Sequence, residues 1–135
     1  MIAPKKTKYR TSFVRKVDNG KAAKGIDLQY GEVGIISLKN AFITPNQIEA
    51  ARRVIAHTTK RSGKLWIRIF PDQPMTSKPA NVRMGSGKGP LKEYVAHVRA
   101  GRVIFEIGGI NRELASTALI KAAKKLPVPI KIITR

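Results

Sequence analysis

The sequence contains no cysteine and few acidic residues. Without Cys, the chain has no disulfides, no thiolate nucleophile and no Cys-ligated zinc. Only 8 of the 135 residues are Asp or Glu, against 27 Lys and Arg, and the formal net charge at pH 7 is +19. Such an excess strains a compact fold by self-repulsion and is typical of proteins with a polyanionic partner. The composition therefore favours a nucleic-acid-binding protein.

Long hydrophobic runs are also missing. No apolar stretch approaches the 18 or so residues that read as a membrane-spanning helix. The amino-terminal MIAPKKTKYR is basic but lacks the apolar segment of a secretory signal. We therefore expect no membrane segment, no membrane partner and a location inside a cell or an organelle. The hydrophobic fraction of 42% is still sufficient for the core of one domain.

Positive charge is concentrated at the amino terminus. Residues 1–24 hold eight Lys or Arg against Asp18 alone, with few large apolar residues and little periodicity. This pattern predicts a basic, extended arm that becomes ordered on its partner, with a solvated charge run as the alternative. From residue 25 the pattern becomes that of a folded protein, so we expect one globular domain over residues 25–135.

Two helices and several strands are predicted within that domain. Thr44, Pro45 and Gln47 fit a capping box that begins a helix running to about Lys60. Asn111 is expected to cap a second helix, which ends before Pro127. Period-two patterns predict strands at 26–30, 33–38, 64–70, 94–99 and 102–107, with a last edge strand at 130–132.

The connections complete a predicted fold. Ala100-Gly101 fits a two-residue hairpin between strands 94–99 and 102–107, and residues 75–90 predict a long glycine-rich loop. The sum is an α+β fold in which a mostly antiparallel sheet is covered by two helices, as a two-layer sandwich with a basic extended N-terminal arm.

Catalytic residues are not evident in the sequence. The eight carboxylates are scattered, and His57 and His97 have no Cys and no third His to complete a metal site. Glu106 alternates with apolar neighbours, so we expect it to face solvent or to pair with a cross-strand Arg or Lys. The sequence therefore predicts no enzyme, no metal, no cofactor and no small-molecule substrate.

The segment RMGSGKG at residues 83–89 is the strongest indication of phosphate binding. It matches neither a Walker loop, because Gly89 follows Lys88, nor a dinucleotide fingerprint. Three glycines let backbone amides approach an anion closely, while Arg83 and Lys88 supply charge. An RNA-phosphate contact is the preferred interpretation, and a mobile connecting loop is the alternative.

Two long blocks resemble the bacterial and organellar family of ribosomal protein L-sixteen. They are GKLWIRIFPD at 63–72, continued by T-x-KP at 76–79, and RMG-x-GKG at 83–89. The resemblance extends to PKKTKYR at 4–10, QIEAARR at 47–53 and AA-x-KLP at 122–127. The chain departs from the family pattern at 13–20 and at Glu93-Tyr94.

The resemblance implies a structural component of the large ribosomal subunit. Members of the family have a compact α+β sandwich, bind large-subunit rRNA near the peptidyl transferase centre and contact A-site and P-site tRNA. They join the subunit late and help to mature its tRNA-binding region. The expected partners are this rRNA, both tRNAs and neighbouring ribosomal proteins, in the ribosome of a bacterium, a mitochondrion or a plastid.

Carried over by position, the resemblance also implies site residues. The expected rRNA-binding residues are Lys5, Lys6, Lys8, Arg10, Arg52 and Arg53. The loop expected nearest the catalytic rRNA and the tRNA comprises Arg83, Met84, Gly85, Gly87, Lys88 and Gly89. A basic DNA-binding or nucleoid-type protein is the alternative function, although no helix-turn-helix pair or heptad pattern supports it.

Overall fold

The structure is a computed structural model that describes residues 2–14 and 20–135. The predicted α+β class is confirmed. In chain order the elements are β1 (Val33–Ser37), β2 (Ala41–Ile43), α1 (Pro45–Thr58), β3 (Lys64–Ile67), β4 (Gln73–Thr76), β5 (Leu91–Val98), β6 (Val103–Gly108), α2 (Arg112–Ala123) and β7 (Ile130–Thr134).

The strands form two antiparallel sheets. One has four strands in the order β3-β6-β1-β7, and the other has three in the order β2-β5-β4. The final strand β7 lies at a sheet edge, as predicted. The two helices pack against each other, while α2 also contacts β1 and β7 and α1 contacts β5. The core between these layers contains fully buried Ile35, Ile48, Phe105 and Leu119.

The predicted hairpin between strands 94–99 and 102–107 is wrong. Strand β5 belongs to the three-stranded sheet and β6 to the four-stranded sheet, so the chain passes from one sheet to the other at the turn between them. Instead of closing a hairpin, this turn bonds to the end of β1: the Gly101 N–H donates to the Ser37 carbonyl at 2.7 Å, and the Ser37 N–H donates to the Arg102 carbonyl at 3.0 Å. Gly101 has a φ of 90°, which suits glycine at this bend.

The helix starts follow the predicted capping chemistry. The Thr44 hydroxyl accepts from the Gln47 N–H at 3.3 Å, and the Thr44 N–H donates to Gln47 Oε1 at 2.9 Å. The Asn111 side chain accepts from the Glu113 N–H at 3.1 Å at the start of α2. Helix α1 ends at Thr58, slightly before the predicted Lys60, since Lys60 and Arg61 take left-handed φ values of 51° and 62°.

The predicted strand at 26–30 is also wrong. The backbone N–H groups of Gln29, Tyr30 and Gly31 do not enter a ladder but donate to the Glu106 carboxylate, at 3.2, 2.7 and 2.8 Å. The segment lies close to the four-stranded sheet because of its glycine: a Cβ on Gly31 would stand 2.7 Å from the Ile107 carbonyl oxygen. A buried carboxylate therefore replaces a neighbouring strand as the hydrogen-bond acceptor.

Glu106 is the anchor of that segment and is fully buried. It also forms an ion pair with Arg68 from the neighbouring chain segment, so the predicted cross-strand pairing is confirmed and the predicted solvent-facing position is wrong. Burial alone would raise the pKa of the Glu106 carboxyl. The N–H groups of Gly31, Tyr30 and Gln29 and the Arg68 guanidinium outweigh burial, so this pKa lies below its usual range.

The long loop is shorter than predicted. Residues 73–76 form β4, which pairs with β5, so the irregular stretch begins at Ser77 rather than at residue 75. Pro74 within this strand concealed it in the sequence, because proline is depleted from strands and confined to edges, and β4 is an edge. Strand β2, only three residues long, was likewise not predicted.

Candidate nucleic-acid interface

The glycine loop projects its backbone into open space. Gly85, Ser86 and Gly87 have consecutive positive φ values of 111°, 58° and 86°. A Cβ built on Gly85 or Gly87 would meet no atom within 4 Å, so nothing in the described chain covers this part of the loop. These glycines are required by backbone conformation and leave their amides open to a large ligand.

The same loop is held at its base and, through Gly85, at one point of its tip. The Ser77 N–H donates to the Pro90 carbonyl at 3.2 Å, and the Lys78 ammonium donates to the Gly85 carbonyl. A Cβ on Gly89 would stand 2.9 Å from the Ser77 carbonyl oxygen, so this glycine is required by close approach of two backbones. The tip is therefore exposed and its base is held.

Most of the predicted loop residues are exposed. Arg83, Gly85, Gly87 and Lys88 are exposed, Met84 is 91% exposed, and Gly89 is half-buried. The side chains of Arg83, Met84 and Lys88 thus flank a backbone in which the two glycines have no Cβ to shield their amides. The arrangement suits a phosphate backbone, because it offers charge and unshielded N–H donors on one segment.

The predicted arm residues Lys5, Lys6, Lys8 and Arg10 are all exposed. The segment touches the domain at several places: Ile2 packs against the core, and the Ala22 N–H donates to the Ala100 carbonyl at 2.8 Å. Arg15, Lys16 and Asp18, which were counted in the arm, lie outside the described residues, as does most of the segment at 13–20 that departs from the family pattern.

The structure brings the arm and the glycine loop together. Lys88 Nζ donates to the Ser12 carbonyl at 2.6 Å, and Gln73 Nε2 donates to the Ser12 hydroxyl at 2.8 Å. The same Lys88 ammonium lies 5.7 Å from the centre of the Phe13 ring. This contact could not be predicted from the sequence, because it joins residues 76 positions apart and no local pattern indicates it.

Arg52 and Arg53 lie on α1 and share one carboxylate. Arg52 forms a two-pronged pair with Glu49 at 2.8 and 2.6 Å, while Arg53 Nε reaches the same side chain at 3.2 Å. The hydrogen bond from Arg52 is the main cause that lowers the pKa of Glu49 to about 2. Ile2 and Arg53 line one surface depression, so the start of the arm lies beside this cluster.

The described residues lack the groupings typical of metal centres and membrane-spanning helices. Across residues 2–14 and 20–135, no three His, Asp or Glu side chains are placed to hold a metal ion. Neither α1 nor α2, the helices in the described part of the chain, is long and apolar enough to cross a membrane. What the fold does present is a basic surface built from an arm, a glycine loop and one helix.

An α+β fold with exposed cations on an arm and a glycine loop is typical of nucleic-acid-binding proteins. The family model for ribosomal protein L16p/L10e matches residues 4–133. The large ribosomal subunit protein uL16c of Gracilaria tenuistipitata is 44% identical over 135 residues, covering 100% of this chain and 99% of that protein. The large ribosomal subunit protein uL16 of Kosmotoga olearia is 50% identical over 135 residues, covering 100% of this chain and 95% of that protein.

The chain therefore belongs to the ribosomal protein L16p/L10e family. It is a structural, non-enzymatic component of the large ribosomal subunit, with rRNA and other ribosomal proteins as its partners. Its relatives come from bacteria and from a plastid, which agrees with the predicted ribosome of a bacterium or an organelle. The resemblance stated from the sequence is confirmed.

Proposed function

We propose that the chain binds large-subunit rRNA near the peptidyl transferase centre through its arm and glycine loop, and that the loop contacts A-site and P-site tRNA. The observation that supports this most directly is the uncovered loop tip, where three consecutive residues have positive φ and two glycines face open space. Glycine at these positions gives the loop its turn and leaves the neighbouring amides without side-chain cover, so the backbone can approach RNA closely beside two exposed cations.

Each group of site residues has a defined part in the proposal. Arg83 presents a planar fork for bidentate phosphate contact, while Lys88 acts as a point charge. Gly85, Gly87 and Gly89 give the backbone its path, and Met84 adds an exposed apolar contact. The arm, taken as residues 1–24, contributes phosphate contacts that position the chain on any RNA sequence, whereas the domain at 25–135 carries the loop.

Arg52 and Arg53 contribute less charge to the interface than their number suggests. Both are paired with Glu49, so the three side chains together supply about one net positive charge. Arg53 is 75% exposed and Arg52 40% exposed, which leaves N–H groups on Arg53 free to reach RNA. Arg53 is therefore the better phosphate contact of the two.

The chain joins the subunit late and completes its tRNA-binding region. Cells depleted of it should accumulate large-subunit particles that sediment slightly light and form peptide bonds poorly. Sedimentation of the native lysate at moderate salt, with and without RNase or DNase treatment, measures whether the chain co-migrates with large ribosomal subunits. Loss of co-migration after RNase supports the proposal, whereas loss after DNase alone would favour the DNA-binding alternative. Large subunits that are fully active without the chain would contradict the proposed role in assembly.

Three loop variants separate charge from backbone conformation. Lys88→Ala should flatten the slope of log affinity against log salt by about 0.7–0.9, the value of one phosphate contact. Gly87→Val should leave that slope almost unchanged but impair tRNA accommodation, because valine is strongly disfavoured at a φ of 86°. Arg83→Lys should have an effect between those of the other two variants, because lysine keeps the positive charge but lacks the planar fork for a bidentate phosphate contact. Wild-type assembly and translation by all three would show a solvated connecting loop.

A further inference from the structure

Phe13 is the most exposed large hydrophobic residue of the described chain, at 94%. Its backbone neighbour is nevertheless fixed, because Ser12 accepts from Lys88 Nζ at 2.6 Å through its carbonyl and from Gln73 Nε2 at 2.8 Å through its hydroxyl. The ring is thus held out from the protein surface rather than folded onto it. An aromatic ring in this position has almost all of its apolar area available to a partner.

The Lys88 ammonium lies 5.7 Å from the Phe13 ring centre, within the range of a cation–π contact. An ammonium carries three N–H donors, and the Ser12 carbonyl uses one of them. Two donors therefore remain for an anion beside the ring. The pair offers a flat apolar surface and a positive charge within a few ångströms of each other.

We propose that Phe13 and Lys88 form a site for one unpaired RNA nucleotide, whose base stacks on the Phe13 ring and whose phosphate contacts Lys88. This inference rests on the proposed RNA binding and deepens it, because it adds a contact that depends on the base. Stacking on aromatic side chains is how proteins hold single-stranded bases without reading their sequence. Paired bases in a duplex are already stacked and present only their edges.

The test uses the full-length chain and two RNA oligomers with the same number of phosphates. One is a single-stranded oligouridylate, and the other is its abasic counterpart. Loss of one base–aromatic stack corresponds to roughly 5- to 150-fold in affinity, and Phe13→Leu should weaken binding to the oligouridylate toward the lower end of that range, because leucine keeps some apolar contact. It should not weaken binding to the abasic oligomer or change the salt slope, since no charge is lost. Phe13→Trp should restore wild-type affinity.

Phe70→Leu is the matched control. Phe70 is also an exposed phenylalanine, at 51%, and no cation lies over its ring in the part of the chain that the structure describes. This variant should bind both oligomers like the wild type. Equal affinity of Phe13→Leu and wild type for oligouridylate would overturn the inference, as would an equal loss on both oligomers. Either result leaves the proposed function intact, since co-sedimentation with large subunits tests that separately.

Discussion

Replacing Glu106 with glutamine should lower the free energy of unfolding by about 3 kcal/mol. The Arg68 guanidinium, whose side chain is 14% exposed, would lose its counter-charge, and breaking a largely buried ion pair by removing one partner typically costs about this much. The glutamine oxygen can still accept from Tyr30 and Gly31, but the NH₂ group would then face the N–H donors of Arg68. For a domain of this size the melting temperature should fall by roughly 10 °C, as measured by thermal unfolding followed by circular dichroism.

Glu32→Gln is the control for this substitution, because Glu32 is an exposed carboxylate beside the same segment. It should change the free energy of unfolding by less than about 0.5 kcal/mol.

The destabilisation caused by Glu106→Gln should also depend on pH. Since the folded-state pKa of Glu106 is lowered, its contribution is complete above the unfolded value of about 4.3 and is lost as the pH falls through the folded value. The difference in melting temperature between Glu106→Gln and wild type should therefore narrow below about pH 4. A constant difference would contradict the ion pair.

Removing the charge of the arm should have the largest effect on RNA affinity. The variant replaces four residues with alanine: Lys5, Lys6, Lys8 and Arg10. Since each phosphate contact contributes about 0.7–0.9 to the salt slope, the slope should flatten by about 3. At a salt concentration of about 0.15 M this corresponds to an affinity loss on the order of 100-fold. Titrations of rRNA fragments at several salt concentrations give both quantities.

A second quadruple variant controls for net charge. It removes the same number of exposed lysines from α2, the turn after it and β7: Lys121, Lys124, Lys125 and Lys131. Because the proposed interface lies at the arm and the loop, this variant should flatten the slope by less than one contact. Equal slopes for the two variants would show that only total charge matters and that the arm has no special part.

Local chemistry explains which elements could be predicted. Thr44, Pro45 and Gln47 define the start of α1 by contacts within four residues, and the structure has those contacts. The alternating segment at 26–30 has the pattern of a strand, but its acceptor is the Glu106 carboxylate about 75 positions away. Ala100-Gly101 suits a hairpin, yet the turn bonds to Ser37 and directs the chain into the other sheet. Periodicity carries no information about these distant partners.

The candidate site also has a part that could be predicted from the sequence and a part that could not. Charge and glycine spacing were enough to select the arm and the loop as separate segments. The hydrogen bonds from Gln73 and Lys88 to Ser12, which bring them together, depend on tertiary structure. Phe13 was not predicted as a site residue because a single aromatic in a basic segment has no diagnostic pattern. Its exposure and the cation beside it supply the signal.

A density map of the large ribosomal subunit that contains this chain tests the central claim most directly. We expect the chain to be bound to rRNA, with the loop at 83–89 directed toward the peptidyl transferase centre and four arm residues against phosphates: Lys5, Lys6, Lys8 and Arg10. A base stacked on Phe13 would be visible in the same map. A subunit in which the arm lies free in solvent and the loop faces away from the catalytic rRNA would contradict the account.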